Sequence, residues 1–581
     1  MSKTYADFLI DTLAKQGVRH IYGLVGDSLN PIVDAVRRHK DMEWIHVHNE
    51  ESAAFAAGAE SLVTGELAVC AASCGPGNTH LVQGLYDAHR NGARVLALAT
   101  HIPSEEIGTG FFQETHPQQV LKECSGYIEV AHSAKQGQRI LHTAIQNSIG
   151  NKQVSTLVIP GNIAAEKVDE PVSGGVIARK KGQMIPDAAD VDKLVAAIDK
   201  AEKITLFVGA GSAGAHDEII DLATHLHAPI GHALGGKEVI QYDNPYDVGM
   251  SGLLGYGACY DACQDADLLL MLGTDFPYVD FLPDGSDVVI AQVDNNPEHL
   301  GRRAVLSHAI CGDVLPTVNA LLEKTKKKTD RSFLDDMLKK HERELSQVVE
   351  AYTKNVEKHT PIHPEFLADQ IDELLDDDAV VTVDTGMCNV WAARYINPTG
   401  RNRVIGSWKH GTMANALPQA IGVQQADRNR QVVSFSGDGG LAMLMGELLT
   451  VRRNNLPVKT VVFNNSSLGM VKLEMLVEGM PEFGTDHDGV DYAGAAEALG
   501  IPSVRITDPK KARQQLKEAL EMDGPVLIDV ITDPNALSMP PTLEFEQLKG
   551  FALAAGRTVL DGGVGKMLSM ARSNLRNIPR P

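Results

Sequence analysis

Three doubly wound α/β domains, each a parallel sheet with helices on both faces, followed by a C-terminal tail: this is the architecture the sequence predicts. Three observations predict it. A chain of 581 residues exceeds what a single core sustains. Apolar runs of strand length alternate with amphipathic helical stretches in three successive blocks, the signature of sheets buried on both faces. Between the blocks lie DEPVSGGVIARKKGQMIPDAAD and EKTKKKTDRSF, polar Gly-, Pro- or Lys-rich stretches suited to linkers. The boundaries drawn are 1–182, 183–335, 336–530 and a tail over 531–581.

In the first block the strands are IYGLVGD, LAVCAAS and RVLALAT, with a helix over Glu51 to Leu62 between two of them. KITLFVG, ADLLLMLG and VVIAQVD form the second block. AVVTVDTG, RQVVSFSGDGG, VKTVVFNN and GPVLIDVIT form the third. Leu441, Leu444, Met445, Leu448 and Val451 recur at helical spacing, which predicts one helix from Leu441 to Asn454.

Composition excludes several classes. Hydrophobic residues make up 43%, a globular value, and no apolar run reaches membrane-spanning length. The N-terminus lacks a signal-peptide layout, so a cytoplasmic protein is expected. A net charge of -22 argues against nucleic acid. Seven cysteines fit a reducing compartment, and Cys70, Cys74, Cys259 and Cys263 lie in apolar contexts that suit buried thiols rather than zinc ligands.

The chemistry is expected beyond the carboxyl ends of the strands. QVVSFS delivers Gly437-Asp438-Gly439 to that edge and VKTVVF delivers Asn464-Asn465, so Asp438 and Asn465 can meet across 27 positions. A carboxylate oxygen, an amide oxygen and a backbone carbonyl are the hard donors magnesium prefers, with positions left for phosphate oxygens. Two turns without a ligand are the alternative.

Gly-Asp-Gly, 24 residues, then Asn-Asn resembles the motif of thiamine-diphosphate enzymes. GDSLN, AAFAAGAE, GELAVCA, SCGPGN, FQETHPQ, YDNPYDVGM and MANALPQA resemble in particular the pyruvate oxidase branch, the ubiquinone-dependent pyruvate dehydrogenases. The resemblance implies magnesium held by Asp438, Asn465 and the carbonyl of Ser467. It places Gly439, Gly440 and the DTGMCN loop with Gly386 near the diphosphate, and Gly75-Pro76-Gly77 at a turn of the first domain. Glu50, at a strand end and opening an Ala-rich helix, aligns with the glutamate that bonds the aminopyrimidine; the bland reading is a favourable charge at a helix N-terminus. The family commonly has His just before this Glu, where this chain has Asn49. Gly411, Thr412 and Met413 would contact the pyrimidine, Met413 otherwise being core filler.

Gly209, Gly211 and Gly214 make a G-x-G-x-x-G after a strand, yet no acidic residue follows the next strand until Glu238, which disfavours NAD. The resemblance implies FAD instead, at Ser251, Gly252, Leu253 and Leu254, at Thr274, Asp275, Phe276, Pro277 and Tyr278, and at Asp294; a vestigial middle domain is the alternative. Phe111, Phe112, Gln113 and Glu114 resemble a loop between the two cofactors, the alternative being core aromatics beside a polar turn. Val471 and Glu474 match substrate-side positions, and Met470 stands where relatives carry Phe. In the tail Val564, Met567, Leu568, Ala571 and Leu575 share a helical face, with Lys566, Arg572, Arg576 and Arg580 beside it. That pattern suits a membrane-surface helix or one docked on its own domain. Together these imply decarboxylation of pyruvate to acetate with electrons passing through FAD to a quinone, in a homotetramer. Oxygen as acceptor, or acetolactate synthase-like carboligation, stays open.

Overall fold

A computed structural model of the chain describes residues 3–168, 176–178, 182–284, 287–537, 570, 572–574 and 576. It contains three parallel-sheet α/β units. Strands form where aliphatic residues run unbroken, and because both faces are covered they show no alternation: Ala68–Ala72, Val95–His101 and Val154–Pro160 are buried at every position. The first sheet has six strands within residues 20–160 and the third has six within 380–531. Counted from its own first strand, each runs 2-1-3-4-6-5. The middle sheet has seven strands, all parallel but for the edge pair of Tyr256–Gly257 with Asp247–Met250.

One apolar core runs from the first sheet into the third, through Ala53, Ala57, Leu81 and Leu85 on one side and Leu417, Ala420 and Ile421 on the other. Three helices carry it: Glu50–Thr64, Pro76–Asn91 and Ala416–Ala426. Small residues let their backbones touch. A Cβ on Gly422 would lie 1.9 Å from the carbonyl oxygen of Ala56, and one on Gly84 would lie 2.5 Å from that of Glu51. Asp87 is buried at this junction, where its two carboxylate oxygens accept from Asn91 Nδ2 at 3.0 Å and Gln419 Nε2 at 3.1 Å.

Three elements differ from the sequence expectation. The helix expected over Leu441 to Asn454 begins at Asp438 and is broken: Asp438–Leu444 and Leu448–Arg453 are α-helical, and Met445–Glu447 is a 3-10 turn. Amphipathic spacing continues through the break, which is why periodicity does not reveal it.

The Lys-rich stretch is not a loose linker. Lys328 Nζ donates to the carbonyls of Asp199 and Ala201, the amide of Lys326 donates to Asp199, and Lys324 pairs with Asp192 at 2.6 Å. After it, helix Ser332–Gln347 packs Leu334 and Met337 inward, with Met337 in the core of the middle sheet. The glycines of G-x-G-x-x-G do not open onto a helix N-terminus, since Ala210–Ser212 is a 3-10 turn and the helix starts only at His216. Instead Gly209 and Gly211 let their loop press on the next one, where added Cβ atoms would lie 2.5 and 2.8 Å from the carbonyl oxygen of Gly273.

Most of the tail lies outside the described residues, including Val564, Lys566, Met567, Leu568, Ala571, Leu575 and Arg580. The described part docks on the third unit: Met570 packs on Leu473, Leu476 and Leu537, His363 lies 3.1 Å from the Ser573 carbonyl, and Arg576 sits 5.2 Å over the ring of Tyr352. Cys70, Cys74, Cys259 and Cys263 are buried. Among the described residues no helix is long and apolar enough to cross a membrane.

Two measurements probe the junction. Gly422→Ala forces the helices apart and lowers stability by about 1–3 kcal/mol in urea unfolding. Burial pushes the Asp87 carboxyl from 3.8 up to about 7. Because the folded value is the higher one, the folded state holds an extra proton between the two, and this contribution to stability is lost as pH rises from about 4 to about 7. Asp87→Asn, always neutral, flattens that part of the pH dependence.

Candidate active site

The carboxyl edge of the third sheet gathers the predicted clamp. Parallel register sets Gly437 beside Phe463, so the residues just past the two strand ends are neighbours. Asp438 Oδ2 accepts from the amides of Asn465 at 3.0 Å and Ser466 at 2.5 Å, and Oδ1 accepts from that of Gly439 at 2.8 Å. Asn465 Oδ1 in turn accepts from the Ser467 amide at 2.9 Å. Burial raises the Asp438 carboxyl above the usual carboxylate range.

Asp384, at the end of the first strand of this sheet, organises the surrounding loops. Its carboxylate faces the amides of Ala414, Asn415, Ala416 and Gly437, with Ala416 at 3.0 Å. A Cβ on Gly440 would lie 2.3 Å from its Oδ2. Gly386, at φ +131, then turns the chain into helix Met387–Tyr395.

Around this edge Thr385 Oγ1, Asn389 Oδ1 and Ser467 Oγ are buried and have no hydrogen-bond partner among the described residues. Buried polar atoms are normally satisfied. Orphan hydroxyl and amide groups beside a hard-oxygen set from Asp438, Asn465 and the Ser467 carbonyl fit a diphosphate with a divalent ion. His487, which the sequence reading missed, stands here too, with Nε2 at 3.4 Å from Asp438 Oδ2. A histidine in an irregular loop carries no periodic signal that could have marked it.

The loop with Gly411, Thr412 and Met413 lies against the same edge. Gly411 has φ +74, and Met413 Cε would come within 3.4 Å of a Cβ on Gly439. Thr412 Oγ1 accepts from Gln83 Nε2 at 2.7 Å, tying the loop to helix Pro76–Asn91.

In the first unit Glu50 is 4% exposed and opens helix Glu50–Thr64. Asn49 caps that helix, its Oδ1 accepting from the Glu51 amide at 2.9 Å. The amides of His48 and Asn49 both donate to Glu447 Oε1 at 3.0 Å, so the 3-10 break in the helix after Asp438 turns a carboxylate toward the residues just before Glu50. A Cβ on Gly77 would lie 2.9 Å from Glu50 Oε1, and His80 Nδ1 lies 2.9 Å from Oε2. His80 was also missed by the sequence reading. Pro76 opens helix Pro76–Asn91, and Gly75, at φ +70, sits where a Cβ would meet Gln113 at 2.9 Å.

Phe111 and Phe112 are 43% and 78% exposed, which removes the core-aromatic reading. Their loop is held by Glu114, which accepts from the amides of Gly108, Gly110 and Phe111. Met470, Val471 and Glu474 share helix Gly469–Val477, Met470 partly buried and Val471 44% exposed.

The middle-sheet positions also converge. Added atoms on Gly252 would touch the rings of Phe276 and Tyr278 at 3.2–3.3 Å, so the loop Ser251, Gly252, Leu253, Leu254 meets the loop Thr274, Asp275, Phe276, Pro277, Tyr278. Ser251 Oγ is buried without a hydrogen-bond partner among the described residues. Asp275 pairs with Arg302 and Arg303. Asp294, the last residue of strand Val289–Asp294, lies 3.2 Å from His299 Nδ1. Arg394 donates to the carbonyl of Gly255 at 3.0 Å, joining the end of helix Met387–Tyr395 to this turn.

Three family profiles match: thiamine pyrophosphate enzyme, N-terminal TPP binding domain, over 3–121; the central domain over 191–321; and the C-terminal TPP binding domain over 384–530. Protein YdaP of Bacillus subtilis is 32% identical over 574 residues, 98% of this chain and 99% of its own. A pyruvate oxidase of Lactiplantibacillus plantarum is 27% identical over 536 residues, 90% of this chain and 87% of its own. Acetolactate synthase 1, chloroplastic, of Zea mays is 30% identical over 583 residues, 95% of this chain and 89% of its own. Chelation of divalent ions, or Asp438→Ala, weakens binding of thiamine pyrophosphate at least about a hundredfold, measured by titration of intrinsic fluorescence.

Proposed function

The chain belongs to the thiamine pyrophosphate enzymes, and on that footing we propose that it oxidatively decarboxylates pyruvate to acetate and carbon dioxide, passing two electrons through FAD to a quinone. The bond between the carboxyl and carbonyl carbons of pyruvate breaks, water supplies the second acetate oxygen, and the quinone leaves as quinol. Thiamine diphosphate, when bound, supplies the electron sink for that cleavage. Asp438, Asn465 and the Ser467 carbonyl would hold the divalent ion that anchors its diphosphate. Glu50, from its buried position, would bond the aminopyrimidine, and Gly411, Thr412 and Met413 would contact its ring. Phe112, Gln113, Val471 and Glu474 would line the approach of pyruvate.

The observation that carries the oxidative reading is the seam between the two candidate cofactor sites. The turn after Ser251–Leu254 receives Arg394 of the helix whose other end is the diphosphate loop, so a flavin against that turn and a thiamine against that loop rest on one helix. Ser251 Oγ, buried and without a hydrogen-bond partner among the described residues, fits a flavin there. Support from relatives is divided, since a pyruvate oxidase and an acetolactate synthase both align over most of the chain. The second reading is therefore non-oxidative carboligation. A homotetramer, with quinone met at a membrane surface near the basic tail, completes the proposal.

Anaerobic addition of pyruvate to enzyme loaded with magnesium, thiamine diphosphate and FAD is expected to bleach the flavin, and a soluble quinone is expected to restore its colour faster than oxygen does. Acetolactate formed without bleaching would overturn the oxidative reading in favour of carboligation.

A further inference from the structure

Glu50 stands in the first turn of helix Glu50–Thr64, where the helix dipole favours a carboxylate, but it is buried there, and a buried carboxylate needs a donor. It has one. His80 reaches it from a different helix, 30 residues along the chain, with Nδ1 2.9 Å from Oε2. The pair is unlike a surface ion pair: the glutamate side chain is 5% exposed, whereas the imidazole is 52% exposed and reaches outward. On the other side Oε1 abuts Gly77, where any Cβ would come within 2.9 Å. Oε1 makes no hydrogen bond among the described residues. Asn49 does not fill the same role, since its side chain is used in capping and its amide is bound to Glu447.

We propose that His80 is the positioning residue for Glu50: donating from Nδ1 to Oε2, it fixes the carboxyl so that Oε1 is the oxygen offered to the cofactor's ring nitrogen, and it stabilises the carboxylate once the Glu50 proton has moved to that nitrogen. The proton leaves Oε1, the ring nitrogen gains it, and the negative charge left on Glu50 is met by an N–H already in place. A charge-assisted bond of this kind contributes most when the acceptor is ionised and buried. The inference rests on the reading of Glu50 given above and deepens it.

The test uses the full-length enzyme loaded with magnesium and thiamine diphosphate, and reads hydrogen–deuterium exchange at the thiazolium carbon by quenching and proton NMR. His80→Phe keeps ring volume and lacks the donor; His80→Asn places an amide N–H close to where Nδ1 stood. His80→Phe is expected to slow exchange at least about tenfold, with cofactor affinity within about threefold of wild type, and His80→Asn is expected to restore most of the rate. Exchange in His80→Phe within about twofold of wild type would overturn the proposal, as would His80→Asn being equally slow, or either variant losing cofactor affinity in proportion to rate. Glu50→Gln separates the two levels. If it leaves exchange unchanged, the reading of Glu50 falls and this proposal with it; if it slows exchange and His80→Phe does not, only the role of His80 falls.

Discussion

Buried carboxylates bound to backbone amides shape the third unit, and Asp384 is the one on which the others depend. It draws the amides of Ala414, Asn415, Ala416 and Gly437 toward one point. Burial pushes its carboxyl up to about 7 while those donors pull the other way. Three segments far apart in sequence are thereby fixed together: the loop that carries Gly411 to Met413, the strand end that presents Asp438, and the turn into helix Met387–Tyr395. Without that convergence the clamp residues would still sit at strand ends, but the wall facing them would have no fixed place.

The first and third sheets share one strand order, so each offers the same set of loop positions. Gly75-Pro76-Gly77 follows the third strand of the first sheet, as Gly437-Asp438-Gly439 follows the third strand of the other. Glu50 and Gly411 both follow second strands, Glu50 as the first residue of its helix and Gly411 in a loop. Matching positions have thus taken different chemistry. A tight glycine turn abuts the Glu50 carboxylate in one sheet and carries Asp438 in the other, and the shared core of Ala- and Gly-rich helices keeps the two sheets in contact.

The reading from sequence reached the strands and the motif because those signals are local. An unbroken aliphatic run ending in Gly-Asp-Gly or Asn-Asn specifies both a strand and what stands at its tip. The sheet-edge loops at Ser251 and Thr274 followed only from resemblance, since nothing in their composition says that Gly252 would face Phe276. His80 and His487 escaped for a different reason. Each is marked only by contact with a residue distant in sequence, and each has an ordinary helix or loop context. The broken helix after Asp438 escaped because Glu447 is drawn aside by the amides of His48 and Asn49, a tertiary demand invisible to periodicity.

The pinned lysines near residue 328 bear on how the molecule can be cut. By sequence this is the most inviting stretch in the chain for trypsin, yet the amide of Lys328 is bonded to His225 and that of Lys326 to Asp199. A protease must lift its substrate into an extended strand, so cleavage here has to wait for the middle sheet's flank to open. Fragments released under native conditions would therefore report that opening, and the middle unit would not come away as a free piece merely because basic residues flank it.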